Sequence, residues 1–393
     1  MNKTSKACPV VLQTGFRIFF LGAAAYAVLS MAFWFVFYVA GGNIFVAMPL
    51  TVWHGHEMIF GFTMAVVAGF LLTAVINWTG LPTLSGRPLL ILFLFWAAAR
   101  VFAFMPASFP LWPMALCDTA FLVFLSGAVM RPIIAARQWR QSAVFSKLIL
   151  VLSSGVVFYG ALFHADLKVE RKALRFAVYM VVSLIFTISR RVLPFFIERG
   201  AGYPVTLRNS RTLDLASLVF LIAFSIIDVF WNFPVVVAVL CALLVVVHTL
   251  RLSGWYTPGI WRKPLLWVLF VGYAFLIMGF FLKIPAAIYH LPDDSALHAL
   301  TAGGIGIFTL GMMARVAWGH TGRNIAQAPR QLPFIFVPLI AGAMVRVLSP
   351  VLDGSKYALW IASGQILWML AFGLYLFLYF RILISPRPDG RWG

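Results

Sequence analysis

Apolar runs of about twenty residues, separated by short polar breaks, repeat along the entire chain. A helix of that length rises about 30 Å, the thickness of a bilayer's hydrocarbon layer. The run lengths and breakers predict twelve spanning helices, at 17–39, 52–77, 88–106, 111–130, 146–164, 175–197, 213–229, 233–252, 265–283, 297–318, 332–350 and 357–381. A membrane barrel would instead alternate polar and apolar positions over segments of about ten residues. Helices suit lipid because each keeps its backbone hydrogen bonds within the segment. The fold class expected is therefore an all-α, polytopic integral membrane protein, with 1–393 as a single transmembrane domain. The polar connection 198–212, with Gly200, Gly202 and Pro204, is the place where two six-helix halves would divide, although no internal repeat marks them. The seventh and eighth runs touch through Asp228-Val-Phe-Trp-Asn-Phe-Pro234, which reads either as a tight hairpin or as one stretch.

Composition strengthens the membrane reading. Hydrophobic residues make up 63% of the chain, charged residues 10%, and the mean hydropathy is +0.97. A soluble domain carries about 25% charged residues, so this chain lacks a water-compatible surface. The net charge of +19 does not mark a nucleic-acid binder, because the basic residues are scattered at the ends of apolar runs. Cytoplasmic loops are enriched in Lys and Arg. With a cytoplasmic N-terminus, only Arg100, Lys168, Arg171, Lys172, Arg175, Lys283, Arg346 and Lys356 fall outside, and the other 22 of the 30 basic residues fall inside. Both termini are thus expected in the cytoplasm, with membrane lipid as the main partner. The polar lead 1–17 has no cleavable signal pattern, so the first helix is expected to act as its own signal.

The candidate chemistry is sparse. Cys8, Cys117 and Cys241 are far apart and form neither C-x-x-C nor C-x-x-C-H, which argues against Fe–S ligation and covalent haem attachment. There is no phosphate-binding glycine loop and no G-x-S-x-G elbow. His56-Glu57 begins like H-E-x-x-H, but Phe60 stands where the second histidine would be. No adjacent His-His pair occurs, which counts against a haem–copper oxidase subunit.

Ionisable groups at membrane depth are costly and usually functional. On the predicted topology His54, His56, His164, His290 and His298 face outward, and His248 and His320 inward. The densest cluster is Trp53-His54-Gly55-His56-Glu57-Met58. Imidazole suits copper, zinc or haem iron, and thioether suits soft Cu(I) or haem iron. On a helix His54 and Met58 share a face, whereas His56 lies about 200° round from His54. Either one metal binds before the helix begins, or the two histidines serve different centres. Interfacial anchoring by Trp and His would give the same cluster. His298 and His320 lie on one stripe of the tenth span, about 33 Å apart, as ligands of separate sites or as snorkelling residues. Between them Gly303-Gly304-Ile305-Gly306 would admit a neighbouring helix or a flat macrocycle. Arg100, Arg315 and Arg323 are candidate partners for haem propionates, and equally for lipid phosphate or for Asp118, Asp214 or Asp228.

Several stretches together resemble one family. They are Gly15-Phe16-Arg17-Ile18-Phe19-Phe20-Leu21, Trp53-His54-Gly55-His56-Glu57-Met58-Ile59-Phe60-Gly61-Phe62, Ala68-Gly69-Phe70-Leu71-Leu72-Thr73-Ala74 and Asn77-Trp78-Thr79-Gly80. The tenth span adds His298-Ala299-Leu300-Thr301, Thr309-Leu310-Gly311-Met312-Met313-Ala314-Arg315-Val316 and Gly319-His320-Thr321-Gly322-Arg323. The combination resembles the NnrS family of bacterial membrane proteins across essentially the whole chain. The resemblance implies a twelve-helix protein of the bacterial inner membrane holding non-covalent b-type haem and copper, with nitric oxide as a ligand. It implies a role in the nitric oxide response, denitrification and nitrosative stress, without a settled reaction. The ligands it implies are His54, His56, Met58, His298 and His320, with His248 less firmly. One departure stands out. Where many relatives carry Leu-His-x-Gly-Tyr, this chain reads Leu269-Phe270-Val271-Gly272-Tyr273. A reading from another class is a twelve-helix transporter for a metal or metal–nitrosyl species, which would show broken helices and polar groups at the midplane.

Overall fold

A computed structural model describes residues 8–41, 48–231 and 233–393. Among these the regular structure is helical, with no strand. Twelve long helices follow in order: α1 Gly15–Val39, α2 Leu50–Thr79, α3 Gly86–Phe102, α4 Trp112–Ala135, α5 Trp139–Phe163 and α6 Leu167–Gly200. Then come α7 Arg211–Trp231, α8 Pro234–Gly254, α9 Pro264–Ile288, α10 Asp294–His320, α11 Leu332–Leu352 and α12 Gly354–Ile384. Eleven of them are long and apolar enough to cross a bilayer. The exception, α3, has 17 residues, at the short end of what spans. The seventh and eighth runs are two helices, because Pro234 opens α8 at a position where a missing N–H costs nothing. Pro113, Pro264 and Pro333 open α4, α9 and α11 in the same way. Gly80, at φ +70°, ends α2 in the left-handed conformation that glycine adopts without strain.

Large apolar side chains such as Leu29, Ile91, Leu215, Val235, Phe334 and Phe377 stay exposed along the helices. In water such a surface would aggregate; in hydrocarbon it is the expected outer face.

Contacts divide the chain into two compact units. The first comprises residues up to Ala177, Met313–Ala328 and Phe372–Gly393. The second comprises Val178–Met312 and Pro329–Ala371. Helices α6, α10 and α12 contribute to both, and the 198–212 connection lies within the second unit.

In the first unit α1 buries Phe16, Phe19, Phe20, Ala23 and Ala27. Its aromatic rings pack where Gly69 of α2 has no side chain; a Cβ there would lie 2.8 Å from Phe20. In the second unit α9 and α10 approach through glycines on both. A Cβ on Gly272 would lie 2.8 Å from the Phe308 nitrogen, and one on Gly279 would lie 2.6 Å from Leu300. Gly303 and Gly304 are filled by Phe275 and Leu276, and Gly306 by Trp368. The glycine run of α10 therefore packs helices, the first of the two roles open to it. Close backbone approach of this kind replaces the hydrophobic drive that lipid cannot supply.

Candidate functional site

Helix α2 carries the densest predicted cluster, and its geometry separates the two histidines. It is α-helical from Leu50 to His56, so the helix has already begun at His54. Glu57–Thr63 then follows as a π-helical segment before α-geometry resumes at Met64. Short π-helical insertions are frequent at functional sites. His54, Gly55 and Met58 are half-buried, while His56 and Glu57 are fully buried. His54 stacks on Trp34, with ring centroids 4.7 Å apart and planes 7° from parallel.

His56 belongs to a closed ring of buried polar groups drawn from α2, α3, α4 and α5. Its Nδ1 lies 2.7 Å from Glu57 Oε1. Arg100 donates through Nη1 to Glu57 Oε2 at 2.5 Å and through Nη2 to Asp118 Oδ1. The Tyr159 hydroxyl donates to Asp118 Oδ2 at 2.6 Å, and its oxygen faces His56 Nε2 at 3.1 Å. From α1, the Tyr26 hydroxyl donates to Glu57. Both imidazole nitrogens thus have hydrogen-bond partners, and one guanidinium bridges two carboxylates. A buried ion pair is tolerable when its remaining lone pairs and protons are largely satisfied; here Arg100 Nε is the ring atom left without a partner among the described residues.

Packing explains why the ring forms at this place. A Cβ on Gly61 would lie 2.6 Å from the Tyr26 ring and 2.8 Å from Arg100 Nη1, so only glycine lets the guanidinium reach Glu57. The π-segment disturbs the backbone ladder, and side chains repair it. Trp96 Nε1 donates to the Gly61 carbonyl at 2.8 Å, and Thr63 Oγ1 to the Met58 carbonyl at 2.7 Å.

The far end of the first unit holds His320, Arg315 and Arg323. His320 is half-buried, with its ring 6.0 Å from Phe16 and its carbonyl accepting from Arg387 at 2.9 Å. Arg315 is buried, and Arg323 lies over the Trp318 ring at 5.6 Å. Arg17, one of the basic residues expected at the cytoplasmic surface, is fully buried. It donates to the carbonyls of Ile382, Leu383, Ser385 and Gly393. A cation there satisfies the orphan carbonyls at the end of α12.

In the second unit His248 has both nitrogens engaged, Nδ1 with Tyr273 Oη at 2.6 Å and Nε2 with Ser217 Oγ at 3.1 Å. Phe186 covers one face of its ring at 3.7 Å. Arg251 donates to Ser217, Tyr273 and Asp214 around it. A further buried group joins Tyr179, Asp228, Lys283 and Asp293. His298 differs from His248. Its Nδ1 donates to the Asp294 carbonyl at 2.7 Å. Metal-ligating histidines are oriented by such a bond. Like His56, His298 is followed directly by a π-helical segment, Ala299–Gly306.

These observations test the fit of haem and copper. His298 has its Nδ1 anchored on a carbonyl, as metal-ligating histidines commonly do, and His54 and Met58 are half-buried residues four apart on α2. His56 and His248 do not fit, since neither has a nitrogen left to bind metal. Arg100 gives its terminal nitrogens to carboxylates, not to a propionate. Among the described residues no three His, Cys, Asp or Glu side chains cluster as a metal site, so the first unit offers His54 with a thioether and not a three-residue cage. Sequence reasoning missed Tyr26, Glu57 and Tyr159 as ring members; the one signal for any of them was Glu57 adjoining His56.

The architecture is that of a multi-pass helical membrane protein with buried polar networks in its core. The NnrS family model, described as NnrS protein, matches residues 10–387, nearly the whole chain. The chain belongs to the NnrS family, and at family level it is a membrane protein related to the nitric oxide response. A search of curated proteins returned no match.

Proposed function

We propose that this protein binds haem and copper in the bacterial inner membrane and protects against nitric oxide during nitrosative stress and denitrification. The observation that carries this reading is the anchoring of His298 Nδ1 by the Asp294 carbonyl, directly before a π-helical segment. His54 and Met58, on the half-buried face of α2, supply the nitrogen and thioether suited to copper or haem iron. His320, with Arg315 and Arg323 within five residues of it, supplies an imidazole and cations suited to a haem with its propionates. When bound, the metal would supply a reducible centre that takes nitric oxide as a ligand. The protein's own part is to orient the imidazoles and to exclude water from the site.

The test is purification in detergent followed by a haemochrome spectrum and copper analysis. Haem and copper in simple ratio to protein are expected. Protein that holds neither, even after reconstitution, would refute the reading. Flux assays in proteoliposomes separate it from transport, which would move metal across the bilayer without retaining it.

A further inference from the structure

We infer that His56 is a positioning residue and not a metal ligand: it closes a buried hydrogen-bonded ring that fixes the α-to-π junction of α2, and so aims His54 and Met58. The part about aiming rests on the reading of His54 and Met58 as ligands; the ring itself does not.

Three observations carry the inference. First, a metal needs an imidazole lone pair, and His56 has none to offer. Nδ1 faces Glu57 and Nε2 faces Tyr159, at 2.7 and 3.1 Å. The outcome does not depend on where the proton sits. If Glu57 held it, Nδ1 would accept from Glu57 and Nε2 would still donate to Tyr159. Second, the imidazole is fully buried against aromatic rings. Phe158 stacks on it at 4.8 Å and Phe60 lies tilted to it at 4.9 Å. A macrocycle would have to displace them. Third, the ring sits at the junction. His56 is the last α-helical residue and Glu57 the first π-helical one. Holding those two side chains to α3, α4 and α5 sets the rotation of the turn that carries His54 and Met58. Glu57, Arg100, Asp118 and Tyr159 are positioning residues by the same argument.

Two of these groups lie across the ring from α2, which makes the idea testable. Asp118→Asn and Tyr159→Phe weaken the ring without altering any side chain of α2. His56→Gln weakens it from within. For each variant, haem and copper per protein, the EPR g-values of the bound metal and the detergent-phase melting curve would be measured. His54→Gln serves as the ligand-loss control. If His56 acts through the ring, the three ring variants shift metal content together, and the metal they retain keeps wild-type g-values. Loss of a full equivalent of haem or copper in His56→Gln alone, with Asp118→Asn and Tyr159→Phe loaded as wild type, would overturn the inference. Should His56→Gln fail to fold, Tyr159→Phe decides. It unties Nε2, so altered g-values in that variant, but not in Asp118→Asn, would mean that His56 ligates. Should the protein bind no metal at all, the proposed function fails while the ring remains open to test. His56→Gln and Asp118→Asn must then give non-additive losses in melting temperature, because residues in one network couple. Additive losses would overturn it.

Discussion

In the buried ring one guanidinium, that of Arg100, serves two carboxylates. Its side chain is 4% exposed, and those of Glu57 and Asp118 are 0% and 2%. Arg100→Met keeps the aliphatic stem and removes the charge. Removing one partner of a buried ion pair typically costs about 3–5 kcal/mol, since the other charge is left uncompensated. Here two carboxylates lose their shared cation. His56 can still serve Glu57, but Asp118 keeps only the Tyr159 hydroxyl as a strong donor. The loss is therefore expected near the upper end of that range, about 4–5 kcal/mol. Reversible unfolding in mixed micelles, followed by helix circular dichroism, reads it directly. Arg100→Lys should recover only part, because an ammonium lacks the planar fork that reaches both carboxylates at once. The triple change Arg100→Met, Glu57→Gln and Asp118→Asn should recover more than the lysine does, since it removes the uncompensated charges themselves. An Arg100→Met protein within about 1 kcal/mol of wild type, the range of a surface pair, would refute the electrostatic account of this site.

Further tests reach other parts of the molecule. Gly272→Ala should destabilise by about 1–3 kcal/mol, because its methyl would press on the Phe308 backbone, which cannot step aside. Gly127→Ala in α4 meets nothing within 4 Å and should be neutral or slightly stabilising in the same melting assay. The 385–393 segment should respond to acid. Hydrogen bonds from Arg387 hold the Asp389 carboxyl well below the usual carboxylate range. A depressed carboxyl adds stability above its unfolded value, about 3.9, and loses it as pH falls through the folded one. Hydrogen exchange of this segment, divided by the intrinsic chemical rate at each pH, should therefore be flat from pH 7 to 5 and rise below about pH 4. Asp389→Asn should remove the acid-induced rise; a variant with an unchanged profile would show that another group is responsible.

Much of the fold was legible because lipid imposes a one-dimensional rule: run length sets the span. The helices fall where the apolar runs lie, and Pro234 divides α7 from α8 through a backbone constraint visible in the sequence. The π-helical segments were not legible. Glu57–Thr63 carries no breaker and reads as continuous helix, since its stability comes from Trp96 and Thr63 repairing the ladder through contacts that periodicity cannot foresee. The ring was illegible for a related reason. Helical phase tells which face Arg100 occupies but not which helix lies opposite, so Asp118 stood as one of several partners until the packing chose it and added Glu57. Arg17 shows the limit of counting charges: it counts as a topology signal, yet it is buried and closes the end of α12.

The histidines make the same point in chemical terms. Residue type and family resemblance made His54, His56 and His298 candidates, and His248 less firmly, because ligation was judged by the presence of an imidazole. What distinguishes them is the lone pair, and that depends on the neighbour of each nitrogen. A backbone carbonyl engages Nδ1 of His298, the kind of bond that orients metal-ligating histidines. A carboxylate on one side and a hydroxyl on the other, as at His56, use both nitrogens. At His248 two hydroxyls do so without a charge. The His-x-His spacing of α2 thus pairs a half-buried residue stacked on Trp34 with one fully buried in the ring. Over such a short interval the helix makes that outcome nearly unavoidable, because two steps of 100° turn the second imidazole away from the first.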